Sequence, residues 1–123
     1  MKIILDTHIF LWSLAAPERL EDERRQIIES RTNTVFVSAI TMAELSIKSS
    51  IGKLCLDFDP VELAKQIGFD LLPFLAEEAL YLKDLPFHHR DPFDRMLIAQ
   101  SIATTYPIMT DDEQFQYYEC KLI

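Results

Sequence analysis

Met1-Lys-Ile-Ile-Leu-Asp-Thr-His8 is the stretch that decides the fold. A short continuous apolar run, here Lys2 to Leu5, is the mark of a strand covered on both faces. Asp6 ends it, and Thr7 can cap a helix that carries Ile9, Phe10, Leu11, Trp12 and Leu14. Working outward, Arg19 to Arg31 reads as a second helix. Leu20, Ile27 and Ile28 form its narrow apolar stripe, against a solvated face of Glu21, Asp22, Glu23, Arg24, Arg25 and Glu29. Thr34 to Val37 repeats the buried-strand signature, and Ser38 ends it.

The alternation persists to the end of the sequence. Ile40 to Ile51 is helical in spacing, with Ile40, Ala43, Ile47 and Ile51 in register, and Gly52 stops it. Leu54 to Leu56 reads as a short extended piece. Asp59-Pro60 opens a helix to Ile67, with proline at the favoured first position and Gly68 as its close. Phe69 to Leu72 is a third strand and Ala76 to Leu85 a helix. Pro86 to Arg90 is a loop, and Asp91-Pro92 starts a helix that reaches about Thr105. Ile108-Met109 is a fourth strand, Glu113 to Tyr118 a short helix and Lys121 to Ile123 a last strand. Strands alternating with helices predict an α/β domain with a mostly parallel sheet covered on both faces. Residues 1–123 read as a single domain, without repeats or linkers.

Composition bounds the function. The apolar fraction of 49% and charged fraction of 26% are ordinary for a globular chain. With only 2 glycines, many helices and few tight turns are expected. The formal net charge of −8 argues against a protein that coats nucleic acid through its backbone, which needs a basic surface. A nuclease stays open, because clustered carboxylates offset by metal ions account for part of that charge. Cys55 and Cys120 read as two free buried thiols in a reducing cytoplasm. Asp6 and His8 interrupt the first apolar run where a signal peptide must be continuous. No segment approaches the roughly 20 apolar residues of a membrane helix.

Four acids stand where carboxylates are costly unless paired: Asp6, Glu44, Asp94 and Asp112. In an open parallel sheet the site lies outside the carboxyl ends of the strands. Asp6 follows the first strand and Asp112 the fourth, so both point to one edge. Each acid also has a plain structural reading. Asp6 can be a helix cap, Glu44 a surface partner for Lys48 one turn on, and either Asp111 or Asp112 a cap for the helix that follows. Asp91 precedes Pro92 and looks like a cap, which leaves Asp94, on the side of Leu97 and Ile98, as the better ligand. Together the four acids suit a hard cation such as Mg2+, which takes oxygen ligands and leaves room for water and substrate phosphate. Without an ion, clustered carboxylates repel and some hold protons. A bound divalent ion activates water and neutralises phosphate charge. His8, His88 and His89 lack the spacing of a zinc site. The histidines with Arg90 or Arg95 can contact phosphate, or belong to a solvated loop. Arg24, Arg25 and Arg31 can form a phosphate-binding patch, but read more readily as part of a solvated helix face balanced by Glu21, Glu23 and Glu29.

With these residues in view, the chain resembles the PIN-domain family, and within it the VapC-like toxins. The resemblance runs over essentially the whole sequence. It is carried by Leu5-Asp-Thr-His8 with Leu11-Trp12, Ser38-Ala-Ile-Thr-Met-Ala-Glu-Leu45, His89-Arg-Asp-Pro-Phe-Asp-Arg95 followed by Leu97-Ile-Ala-Gln100, and Thr110-Asp-Asp112. It implies a compact α/β/α sandwich and a Mg2+- or Mn2+-dependent ribonuclease. On that resemblance Asp6 and Asp94 are the main metal ligands and Glu44 and Asp112 complete the site. Thr7 and Thr110 then fall beside it as contacts for water or phosphate, the role that Arg95 can take from its own charge. Asp111 departs from the family's usual neutral or basic residue. The resemblance also implies a VapB-like antitoxin whose tail covers the cleft, and a homodimer. Trp12 and Leu20 are candidate contacts for one or the other.

Two other classes compete. A catalytically inactive PIN-like module would bind RNA or protein without cutting, but such copies usually lose at least one acid. A phosphotransfer or phosphatase domain with Asp6 as nucleophile usually has a second acid two residues on, where this chain has His8.

Overall fold

A computed structural model describes residues 1–123. Its centre is a four-stranded sheet built from β1 (Lys2–Leu5), β2 (Thr34–Ser38), β3 (Asp70–Leu72) and β4 (Ile108–Met109). The spatial order is β3-β2-β1-β4, and every pairing is parallel. Ile4 lies opposite Phe36 on one side and Ile108 on the other. The strands are joined by α1 (Thr7–Ala15), α2 (Asp22–Glu29), α3 (Ala39–Ser50), α4 (Pro60–Ile67), α5 (Ala76–Ala79) and α6 (Pro92–Thr104).

Side-chain alternation sorts the strand residues into two cores, as a period of two requires. Ile3 and Leu5 enter one core with Val35, Val37 and Met109, against Ile9 and Phe10 of α1 and Ala64 of α4. Ile4 and Ile108 enter the other with Leu97 and Ile98 of α6, Phe115 and Tyr118, and Phe36 packs against it. All three apolar residues of β1 are fully buried. At about 1.5–3 kcal/mol for each such side chain removed from water, this strand anchors both layers. The result is an α/β/α sandwich.

The helix-start signals hold. Asp59 and Asp91 both accept backbone N–H bonds as N-caps ahead of their prolines. Gly68 closes α4 in the left-handed region at φ 100°, where a side chain would be strained. Asp6, rather than Thr7, caps α1.

Several boundaries differ from the sequence reading. The stretch expected as one helix from Arg19 to Arg31 splits into a 3-10 turn, Pro17–Arg19, and α2. Between them Leu20 turns extended and drops into the first core at 5% exposure, so it is not an exposed contact. Trp12 packs partly against that core with the Arg19 guanidinium over its ring. The helix expected from Ala76 to Leu85 is α5 followed by a 3-10 turn, Leu80–Asp84. Leu82 and Leu85 both pack on the second core, and their spacing of three suits the tighter winding. Leu54–Leu56 forms no strand, and Lys121–Ile123 contributes one bridge, Leu122 to Ile108. The helix expected over Glu113–Tyr118 is a 3-10 turn, Glu113–Tyr117. Cys120 is buried as expected, whereas Cys55 is exposed. No helix is long and apolar enough to cross a membrane.

Candidate metal centre

The strand order creates the site. From β1 the chain steps outward through β2 to β3, and β4 lies on the opposite side of β1. The carboxyl ends of β1 and β4 therefore frame the crevice where the winding direction reverses, the place where open α/β sheets bind ligands. Asp6 leaves β1 there, its N–H held by the Met109 carbonyl at 3.1 Å. One carboxylate oxygen, Oδ1, accepts the Ile9 N–H at 2.8 Å as the cap of α1. The other, Oδ2, accepts the Thr110 hydroxyl. Asp6 is thus both a cap and a residue of the crevice. Burial pushes its carboxyl above the ordinary carboxylate range, and the bonds from Thr110 and Ile9 work against that rise. Thr110 Oγ1 in turn accepts the Asp112 N–H at 3.0 Å, so one hydroxyl ties the end of β1 to the turn after β4.

Glu44 reaches the crevice from α3 and is 3% exposed. Its Oε1 accepts the Thr7 hydroxyl at 2.6 Å, and Thr7 meets Thr41 at 3.2 Å. Its Oε2 pairs with Lys48 Nζ at 2.6 Å. The ion pair expected from the spacing therefore forms, and it forms on a buried carboxylate. The Glu44 bond raises the Lys48 pKa, burial opposes it, and the fields of Asp91 and Asp94 add to the rise.

Asp91 accepts the N–H groups of Phe93 and Asp94 at 2.8 and 3.1 Å, which makes it the cap of α6. Asp94 lies inside that first turn with its carboxylate toward the crevice. Its pKa is raised from 3.8 to about 7, chiefly by burial. Asp91, Glu44 and Asp112 contribute to that rise, and His89 works against it. Asp112 caps the 3-10 turn that follows it, with Oδ1 accepting the Gln114 N–H at 2.9 Å.

The residue that brings two of these acids together is His89. Its Nε2 lies 3.0 Å from Asp94 Oδ2 and 2.9 Å from Asp112 Oδ2. These three atoms are within 4.8 Å of one another. Of the four predicted acids, Asp94 and Asp112 thus converge on one atom. Asp6 joins them through Thr110, and Glu44 stands behind Thr7 with its own cation. His89 was missed as a site residue because nothing in its spacing distinguishes it from its neighbour His88. The one available signal is its place two residues ahead of the Asp91-Pro92 helix start.

Other expected contacts take different partners. Thr7 and Thr110 are both buried, and their hydroxyls donate to Glu44 and Asp6. Arg95, 7% exposed, gives its guanidinium to the carbonyls of Leu85, Pro86 and His89 and covers the Phe87 ring. It clamps the loop that carries His89, and a phosphate contact would require those bonds to be given up. Arg24, read as part of a solvated face, bonds the Thr110 carbonyl at 2.8 Å and pairs with Asp111. Asp111 is thereby turned to α2.

The donor set fits a hard divalent cation. Asp94 and Asp112 present oxygens within a few ångströms of each other, and burial first, then the neighbouring carboxylates, hold Asp94 near a pKa of 7. Oxygen donors of this kind suit Mg2+ or Mn2+, and the closed nitrogen and sulfur set of structural zinc is absent.

Comparison with known proteins agrees with this architecture. The PIN-domain family model matches residues 3–119. No curated protein matches the chain. Among solved structures it is similar to VapBC2 from Rickettsia felis bound to a DNA fragment from their promoter. That match has 17% identity and a TM-score of 0.74, and covers 100% of this chain and 98% of the other. DNA-bound VapBC from Salmonella typhimurium matches at 15% identity and a TM-score of 0.70, covering 100% and 97%. FitAcB from Neisseria gonorrhoeae matches at 20% identity and 0.62, covering 98% and 96%.

Proposed function

The chain belongs to the PIN-domain family, and on that premise we propose that it is a Mg2+- or Mn2+-dependent endoribonuclease, the toxin of a toxin–antitoxin pair. PIN domains are typically nucleases. The observation that carries the reading is the meeting of Asp94 and Asp112 at one point of the crevice between β1 and β4, with Asp6 bound into the same network through Thr110.

Asp6, Glu44, Asp94 and Asp112 are the residues that hold the ion, directly or through water. When bound, a divalent cation supplies the acidity that makes water a nucleophile at neutral pH and offsets charge on the scissile phosphate. The chain's own part is orientation. Thr110 fixes Asp6, Thr7 fixes Glu44, and Lys48 neutralises Glu44 so that a buried carboxylate survives folding without the ion. Asp6 and Asp112 follow strands, Asp94 lies in the first turn of α6 and Glu44 lies inside α3, rigid placements that suit positioning of an in-line attack on a phosphodiester.

Similarity to VapBC and FitAB structures supports a VapB-like antitoxin as partner, and a second copy of this chain is the other partner that the family resemblance implies. The net charge of −8 suits a basic antitoxin segment. The test expresses the wild type and Asp6→Asn separately in bacteria, then incubates each purified protein with total RNA and Mg2+, Mn2+ or EDTA. Growth arrest and EDTA-sensitive fragments are expected from the wild type alone. A folded, metal-loaded wild type that neither arrests growth nor cuts RNA would replace this reading with the non-catalytic binding module.

A further inference from the structure

We propose that His89 is a positioning residue of the acidic centre: a ring whose Nε2–H holds the facing oxygens of Asp94 and Asp112 together, without itself ligating the ion. The inference rests on the metal-dependent reading above and adds a residue to it.

The argument turns on the far side of the ring. The Asp91 backbone N–H points at His89 Nδ1 at 3.2 Å. A donor aimed at that nitrogen requires a lone pair there, so the ring proton lies on Nε2. Nε2 is the atom 2.9 Å from Asp112 Oδ2 and 3.0 Å from Asp94 Oδ2. Ionised carboxylates only accept, and one N–H shared between the two satisfies the contact chemically. Ligation would need the opposite tautomer. Its proton would move to Nδ1 and meet the Asp91 N–H head on, and the contact at the cap of α6 would be lost.

The ring is also immobilised. The His89 N–H donates to Tyr118 Oη at 2.7 Å, and that hydroxyl donates to the Pro86 carbonyl at 2.8 Å. Arg95 binds the His89 carbonyl at 3.3 Å, and Phe115 packs edge-on at 5.8 Å between centroids. His89 is 8% exposed. A rigid donor that aligns metal-binding carboxylates is worth about 10- to 100-fold in metal affinity when removed.

Nuclear magnetic resonance of the 15N-labelled full chain tests this. The sequence has 3 histidines, so the His89 ring signals are assigned by their loss in His89→Gln. Long-range 1H–15N correlations are read before and after Mg2+, and calorimetry gives Mg2+ affinity for the wild type, His89→Ala and His89→Gln. The expected result is a proton on Nε2 that stays there when Mg2+ binds. Affinity should fall about 10-fold or more in His89→Ala and recover in part in His89→Gln, whose amide N–H can still donate. Loss of the Nε2 proton on Mg2+ binding would make His89 a ligand and overturn the proposal. Unchanged affinity in His89→Ala would overturn it as well. A folded wild type that binds no Mg2+ would remove the metal reading itself. The tautomer is measured on the wild type, so a variant that fails to fold does not shield the proposal.

Discussion

Glu44 and Asp94 face the same crevice, yet they are supported in opposite ways. Glu44 has two dedicated donors, Thr7 at 2.6 Å and Lys48 at 2.6 Å. Asp94 must share the His89 N–H with Asp112, and it feels Asp91, Glu44 and Asp112 besides. The α3 side of the crevice is therefore electrostatically complete, whereas the α6 side lacks positive charge. The demand for a cation is concentrated where α6 starts and β4 ends.

The largest effects should follow from removing the unbalanced acid. Asp94→Asn is expected to lower RNA cleavage by about 100-fold or more, the scale on which a single electrostatic group in a site acts. The same substitution removes a carboxylate from a repulsive cluster, so the metal-free protein should melt at the wild-type temperature or above it. An Asp94→Asn protein that cleaves normally, or whose metal-free form melts well below wild type, would show that the α6 side is not the under-compensated one.

Breaking the complete side should do the reverse. Lys48→Met leaves Glu44 buried without its cation. Between the limits for surface and buried pairs, about 2 kcal/mol of stability should be lost. Thermal unfolding would show a drop of several degrees, and adding Glu44→Gln to Lys48→Met should recover part of it. If the two changes add independently, the 2.6 Å contact contributes nothing to folding.

What could be read from the sequence divides along similar lines. The fold was legible because its signals are local. Unbroken apolar runs marked β1, β2 and β4, and Asp-Pro pairs placed the starts of α4 and α6. The carboxyl-end rule then put Asp6 and Asp112 on one edge. The breaks that were missed, at Leu20 and after Ala79, come from tertiary packing that overrides local helical preference. In the site, the acids stood out because a carboxylate at a strand end is conspicuous. Their partners did not. His89 meets Asp112 across 23 residues and Arg24 meets Thr110 across 86, by the shape of loops that no periodicity encodes. Arg95 carries the same lesson, since its charge suggested phosphate while the surrounding carbonyls give it a structural task.

The smallest expected effect is also the one that measures the imbalance directly. The Asp94 carboxyl is raised from 3.8 to about 7 in the folded chain, chiefly by burial and then by Asp91. Between those values the folded state holds a proton that the unfolded state has released. Stability therefore falls as pH rises, in proportion to the protons taken up on folding. The stabilisation is complete below about pH 4 and gone above about pH 7, and Asp6, also raised, adds in the same direction. Since Asp94 keeps 22% of its side-chain surface, solvent softens the slope. Urea melts of the metal-free protein at pH 5 and pH 8 should show the loss, and Asp94→Asn should reduce it. Saturating Mg2+ should reverse the trend, because the ion competes with the proton for the same oxygens and binds better as pH rises. If the metal-free protein gained stability across this window, and Asp94→Asn left that gain unchanged, the charge on the α6 side would already be balanced by the chain itself.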